Sequence, residues 1–441
     1  MNNSGKKGDN NLTQRIFSVS KHLELSNEDF HKKKRHIFVI TDAGKPVYSR
    51  YGDESDLAPI VATFNVILHK LKDLTSSGVA STLKKVENDH TKTIIKKYGE
   101  LFMLYISKEK NDPDIILDTS LDILMHQIVC SITSSFKQRL ANSPNYNPGN
   151  SLQTHHHTLA WNIAASRHSF SNLFGAYNPF MISSMMRKQI QETLELFKEE
   201  GLVYKQLITR NSVIAWDNQD FDLEPEDINC LFHLVNSKFL VEGVDYIMPY
   251  CVPSIADTGY INLYFRMITG ELGLLIIFSE QQKVKECVQI CQKIEMTLEE
   301  DNVIESLKKF IGMSPLSPSH FRLAKVEIVI ILNLKFKQYM ILGEMVYKKK
   351  TKEQRRFFNV VAKLYEQYRN FFGKKTDQKN YGGDFEAYEK VDDYLVGVFK
   401  EKELLVFARQ SPWNDRVELR KQMVNAVQVA RSDYHNFFIQ Y

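Results

Sequence analysis

The sequence predicts an α/β (α+β) protein built from three successive sheet-and-helix domains, and three observations carry that prediction. Short apolar runs pair across tight turns, as HIFVI and PVYSR do around Gly44. Behind these pairs, apolar residues recur at spacings of three and four, the pattern of one buried helix face. The order of two strands, a helix, three strands and further helices then begins again after Gly201, and more loosely after the linker SPLSPS at 314–319. Element order repeats although the residues do not, which points to three homologous domains.

Residues 1–35 are polar and aperiodic and read as a mobile tail. The first domain, 36–200, opens with strands at 38–41 and 46–50. Gly44 supplies the positive φ that the turn needs, and Pro46 fixes an extended approach. Asp53 or Ser55 caps the next helix, with Pro59 tolerated near its first turn. Leu57, Ile60, Phe64, Ile67, Leu68, Leu71 and Leu74 form its apolar stripe. Strands follow at 82–86, 93–97 and 101–107, then helices over 113–140 and from about 159 to 199, with the turn-rich NSPNYNPGNS between them.

In the second domain, 201–313, LVYKQLITR and SVIAW form a hairpin around Asn211. Pro225 opens a helix with Ile228, Leu231, Phe232, Val235 and Phe239 on one stripe. Strands at 246–252, 261–268 and 272–279 precede helices at 281–299 and 302–310. The third domain, 314–441, has strands at 326–332 and 338–342. Thr351 and Gln354 form a capping box for a helix to Phe372. KKTDQKNYGGD is a loop, strands follow at 394–400 and 403–408, and a helix over 415–438 closes the chain.

Hydrophobic residues make up 43% and charged residues 25% of the chain, enough to build several cores. A net charge of +4 is too small to mark a nucleic-acid binder. Cys130, Cys230, Cys251, Cys287 and Cys291 include no Cys-x-x-Cys pair, so they read as buried reduced thiols of a reducing compartment. No segment reads as a signal peptide, and no apolar run approaches the ~20 residues of a membrane span. Contact with a membrane is therefore expected to be peripheral.

Catalytic motifs are missing. Gly-x-Ser-x-Gly, His-Glu-x-x-His and Gly-x-Gly-x-x-Gly do not occur. Gly373-Lys374-Lys375-Thr376 has Tyr368 where a phosphate loop needs its first glycine. In DNQDFDLEPEDI, Pro225 and Leu231 stand where a calcium loop starting at Asp220 needs a glycine and a bidentate Glu. His155, His156 and His157 read as a solvated loop, since three adjacent imidazoles cannot converge on one ion. No catalytic residue, metal site or cofactor is expected. Between Met345 and Asn380, eight Lys and three Arg face three carboxylates. Lys348, Lys349, Lys350, Lys352, Arg355 and Arg356 are candidates for binding anionic lipid, weighed against an ordinary solvated face.

TDAGKPVYSRYG resembles, almost letter for letter, the hairpin that opens the first domain of the SAND family of vacuolar fusion proteins. The matching residues are Gly44, Lys45, Pro46, Val47, Tyr48, Ser49, Arg50, Tyr51 and Gly52. TKTIIKKYGELFMLYISK, LVYKQLITRNSVIAW and EDINCLFHLVNS match more weakly. AWNIAASRHSFSNLF, at 160–174, departs from the family pattern.

The resemblance implies three longin domains, each a five-stranded antiparallel sheet with flanking helices. It also implies a second tri-longin subunit of the Ccz type, with which the chain would act as guanine-nucleotide exchange factor for a late-endosomal Rab GTPase. A cytoplasmic protein recruited peripherally to the endosome, vacuole or lysosome is then expected, serving endosome maturation and the fusion of endosomes and autophagosomes with the vacuole or lysosome. Exchange requires no nucleophile, so the missing motifs fit. Ile60, Phe64, Ile67 and Trp161 are the candidates for contact with GTPase or partner. A non-catalytic longin adaptor, coat or tether subunit is the alternative, and a small-molecule enzyme is disfavoured by the motif survey.

Overall fold

The computed structural model describes residues 30–439 except 31, 52–58, 60–61, 68–69, 71–82, 144, 219–222, 238–240, 280–282, 314–315, 344–351, 373–382 and 392. It divides into two compact units, one ending at Arg167 and one running from His168 to Tyr441.

The first unit holds β1 (Arg35–Thr41), β2 (Pro46–Ser49), β3 (Lys85–Glu87), β4 (Lys92–Tyr98) and β5 (Leu101–Ser107), in spatial order β2-β1-β5-β4-β3. Every pairing is antiparallel. Both central strands are buried on two faces, which is why RHIFVIT and LFMLYIS read as nearly continuous apolar runs. One face carries Phe38, Ile40, Ile95, Phe102 and Leu104, with Phe64 packed against them. Against β4 and β5 lies α1 (Asp114–Ile132).

Three expectations change here. Order begins before residue 36: Phe30 is buried in this core, its ring 4.4 Å from that of His36, and Arg35 already belongs to β1. The basic run hid this, because charge composition at 31–35 outweighs one phenylalanine. The expected helix over 113–140 is also divided, because Thr133 adopts φ +60° and ends α1 before α2 (Ser135–Asn142) begins. By length and composition α1 is apolar enough to cross a membrane, contrary to the reading that no run approaches that length. In the fold it is a core helix, with Leu117, Leu121, Leu124 and Ile128 buried. Its Asp118 and Asp122 pair with Lys96 of β4 at 2.9 and 2.6 Å. The unit ends in α3 (His156–Ser166).

The second unit begins with α4 (Phe170–Phe174) and α5 (Ser184–Leu196). Its first sheet comprises β6 (Leu202–Thr209), β7 (Val213–Asn218), β8 (Asp245–Val252), β9 (Ala256–Met267) and β10 (Leu272–Phe278), with α6 (Pro225–Ser237) inserted after β7. α7 (Val284–Glu300) and α8 (Val303–Gly312) follow. Spatial order is β7-β6-β10-β9-β8, the arrangement of the first sheet. α5, α7 and α8 cover one face through Ile190, Leu194, Ile294 and Leu307, while α6 covers the other through Ile228, Leu231 and Val235. The helix expected to close the first domain at 200 therefore belongs with the second sheet, because Ile190 and Leu194 find their apolar partners there.

A third sheet of the same order, β12-β11-β15-β14-β13, is formed by β11 (Ile328–Asn333), β12 (Gln338–Leu342), β13 (Phe385–Val391), β14 (Tyr394–Glu401) and β15 (Leu404–Gln410). α9 (Lys352–Phe372) precedes β13, and α10 (Arg416–Ser432) packs Leu419, Met423, Ala426 and Val427 on the face of Val406 and Ala408. Sequence patterning missed β13. It is an edge strand, FEAYEKV, whose residues are only partly covered, so its apolar alternation is diluted by Glu386, Glu389 and Lys390. Each sheet is the five-stranded antiparallel sheet, flanked by helices, that the resemblance implies. All five cysteines are buried thiols, and burial pushes the Cys287 and Cys291 thiols up to about 12.

Candidate protein interaction surface

The hairpin that carries the resemblance is built around one left-handed residue. Gly44 has φ +79°, a conformation that strains any residue with a side chain, and a Cβ added to it would lie 2.6 Å from Asn65 Nδ2, so the Asn65 side chain would also have to shift. The turn closes through Gly44 N–H to the Thr41 carbonyl (2.8 Å), Thr41 N–H to the Lys45 carbonyl (2.9 Å) and Lys45 N–H to Thr41 Oγ1 (3.0 Å).

From there the motif is held inward. Lys45 Nζ donates to the backbone carbonyl and to the side-chain Oδ1 of Asn145 at 3.1 and 3.3 Å. The Pro46 carbonyl accepts from Asn147 Nδ2 at 3.2 Å. Val47, Tyr48 and Ser49 are buried, and the Tyr48 ring lies 4.7 Å from the ring of His156. His156 is thus a packed residue at the start of α3, correcting the reading of 155–157 as a solvated loop. Ser49 Oγ donates to the Tyr51 carbonyl at 2.6 Å. The Arg50 guanidinium and the Lys33 ammonium stand 5.1 and 5.3 Å from the centroid of the Tyr51 ring. Gly52 lies outside the described residues. The motif therefore fixes the first sheet's edge and presents few of its side chains for contact.

Beside it, Arg35 clamps Asp112 in a bidentate pair, Nε to Oδ2 at 2.6 Å and Nη2 to Oδ1 at 2.7 Å. Ser107 Oγ donates to Oδ2 at 2.8 Å. Burial raises the cost of charging Asp112, yet the Arg35 hydrogen bond and charge, with help from Ser107, hold its carboxyl below the ordinary range. Sequence reading missed this pair, because its members are 77 positions apart and each looked like a flanking residue of a neighbouring element.

The interface candidates separate. Phe64 is half-buried, its ring 6.5 Å from that of Phe38, so it belongs to the core face. Ile67 is 45% exposed and its neighbour Val66 53%, so the helical stretch 62–67 leaves an apolar side uncovered in this unit. On α3, Trp161 is 46% exposed. Ile60 lies outside the described residues. Of the basic candidates, Lys348, Lys349 and Lys350 lie outside them too, as do Gly373 to Thr376. Lys352, Arg355 and Arg356 are exposed at helical spacings of three and four, on one stripe of α9.

A family model described as the first Longin domain of FUZ, MON1 and HPS1 matches residues 35–160, the span that holds the first sheet and the hairpin. Vacuolar fusion protein MON1 of Yarrowia lipolytica is 23% identical over 286 residues, 64% of this chain and 52% of that protein. The chain is similar to the MON1 and SAND vacuolar fusion proteins. MON1 homolog A of Gallus gallus is 22% identical over 264 residues, 59% of this chain and 47% of its own. With the MON1 homolog of Oryza sativa subsp. japonica the likeness extends over 95% of this chain and 77% of the relative at 20% identity. The chain spans about half the length of the Yarrowia and Gallus relatives that it matches. Taken with the MON1 likeness, the three equal sheet topologies are three longin domains.

Proposed function

We propose that this chain serves vacuole or lysosome fusion as one subunit of a heterodimeric guanine-nucleotide exchange factor for a late-endosomal Rab GTPase. The partner is a second tri-longin protein of the Ccz type, and no bond is made or broken by the chain's own side chains. The observation that supports this reading most is the uncovered apolar side at Val66 and Ile67, next to the one hairpin whose letters match the SAND family. A longin helix that covers its sheet with Phe64 and leaves Ile67 in water is suited to seat a second protein.

Exchange by such a surface works through differential binding. Weakening nucleotide ~10⁴-fold requires about 5.5 kcal/mol of preference for the empty GTPase. Holding the GTPase's switch segments away from the phosphates supplies that preference without acid–base chemistry. Peripheral recruitment to an anionic membrane, with Lys352, Arg355 and Arg356 among the contacts, belongs to the same proposal.

The test is release of a fluorescent guanine nucleotide from a panel of late-endosomal and other Rab GTPases. Release is expected with the purified tri-longin partner present and little or none with the chain alone. Strong exchange by the isolated chain would refute the need for a partner, and no release with the partner present would favour an adaptor or tether.

A further inference from the structure

Strand pairing in the first sheet lines up charged and polar side chains on one face, and the exchange reading leaves them unused. Tyr105 of β5 stands opposite Ile37 of β1, and Arg50 N–H donates to the Ile37 carbonyl at 3.1 Å. Arg50 lies two residues past Tyr48, whose ring meets His156 of α3, so Arg50 starts on the face that carries Tyr48 and Tyr105. One row further along the same face, Arg35 stands opposite Ser107 and Ser107 opposite Lys92. Arg167, on the turn after α3, brings a third guanidinium: the charges of Arg35, Arg50 and Arg167 all act on the Tyr105 hydroxyl.

The neighbouring acids are already engaged. Asp112 gives both oxygens to Arg35, Glu109 pairs with Lys34 at 2.5 Å, and Asp114 pairs with Lys92 at 2.8 Å and with Lys85 at 2.7 Å. Arg50 and Arg167 are half-buried, and among the described residues neither has an ion pair or a side-chain hydrogen bond. Burial and the like charge of Arg35 lower the Arg167 pKa, the mark of a cation without its counter-charge. Tyr105 is 1% exposed, and its hydroxyl makes no hydrogen bond with a described residue. Burial raises its pKa against the pull of the three arginines, so the hydroxyl stays protonated and able to donate. Two uncompensated guanidinium groups beside an idle buried donor suit an anion of two charges with several acceptor oxygens.

We infer that this face of the first longin domain binds a soluble phosphate monoester: Arg50 and Arg167 grip its oxygens, the Tyr105 hydroxyl donates to one of them, and Arg35, fixed by Asp112, closes the side. A free phosphate fits this place better than a headgroup tethered to a bilayer, because Tyr105 is buried on the sheet face against which α1 packs, out of reach of a flat surface. The site goes beyond nucleotide exchange and does not depend on it.

The experiment titrates the full chain, purified without phosphate, with inorganic phosphate and with glycerol 3-phosphate in a calorimeter at constant ionic strength. Both should bind the wild type. Arg167→Gln should weaken binding about tenfold, the loss expected for one charge-assisted hydrogen bond, and Tyr105→Phe, which keeps the ring, about fivefold. Arg355→Gln, on α9 of the third domain, should leave binding unchanged. With no phosphate present, Arg167→Gln should melt at or above the wild-type temperature, because it removes a half-buried charge that lacks a partner; a structural role for Arg167 predicts a lower one. Absence of binding by the wild type, or equal binding in Arg167→Gln and Tyr105→Phe, would overturn the site. So would binding confined to vesicles that carry a phosphoinositide. The titrations contain neither GTPase nor partner subunit, so their failure and failure of the exchange reading are separate results.

Discussion

Asp112 shows how much one buried carboxylate can decide. It receives three hydrogen bonds from Arg35 and Ser107, so replacing it with Asn leaves the guanidinium buried beside a neutral amide. Breaking one partner of a buried pair costs about 3 kcal/mol or more, and Asp112→Asn should lower the urea midpoint accordingly. The pH dependence has a definite sign. Because the folded-state pKa is depressed, the unfolded chain binds this proton more readily. The pair's stabilisation is complete above the ordinary aspartate pKa and is lost as pH falls through that value toward the lower folded-state one. The stability gap between wild type and variant should therefore shrink on acidification within that window, and a gap independent of pH would show that Asp112 acts through packing alone. Gly44 was legible beforehand, since only a turn explains Gly-Lys-Pro between two apolar runs. Its partner Asn65 was not, because a contact across 21 positions leaves no local trace.

Among elements, the helix at 62–67 separates a core role from a surface one. Phe64→Ala should cost about 2 kcal/mol, less than for a fully buried ring because Phe64 is only half covered. Ile67→Glu should change stability by no more than about 0.5 kcal/mol. The same change should weaken binding of the tri-longin partner or the GTPase by about tenfold or more, as measured by titration calorimetry. Unchanged binding of both would remove this face from the interface. Spacing alone placed both residues on one apolar stripe, and which of them faces the sheet depends on a rotation that only the packed sheet sets. Central strands such as β10 and β11 were legible for a related reason: burial on both faces demands unbroken apolar runs. Edge strand β13 experiences no such demand.

For the unit from His168 to Tyr441, the second and third sheets are joined by chain segments from both ends. Tyr177 N–H donates to the Lys337 carbonyl and Tyr339 N–H to the Tyr177 carbonyl, while Phe180 N–H donates to Val213 of the other sheet. The C-terminal Ile439 sits in the second sheet's core although its neighbours Phe437 and Phe438 belong to the third. Arg187 of α5 locks this crossing, donating to the carbonyls of Phe180, Ile214, His435, Asn436 and Phe438 at 2.7–3.3 Å. Burial lowers its pKa to about 10, so it stays charged at neutral pH. Arg187→Met should leave those carbonyls without their donor, costing about 3 kcal/mol and exposing the C-terminal segment to limited proteolysis. Wild-type protease resistance in the variant would show that apolar packing alone retains the segment.

The amino-acid order by itself determined the threefold repetition, the central strands, most helices and the family likeness, because each is written in short-range periodicity and turn chemistry. Only the tertiary structure decided that Phe30 joins a core, that α5 belongs to the second sheet and that Arg35 meets Asp112. Those outcomes depend on which distant surfaces meet, and burial is a property of the assembled layers that no local window contains.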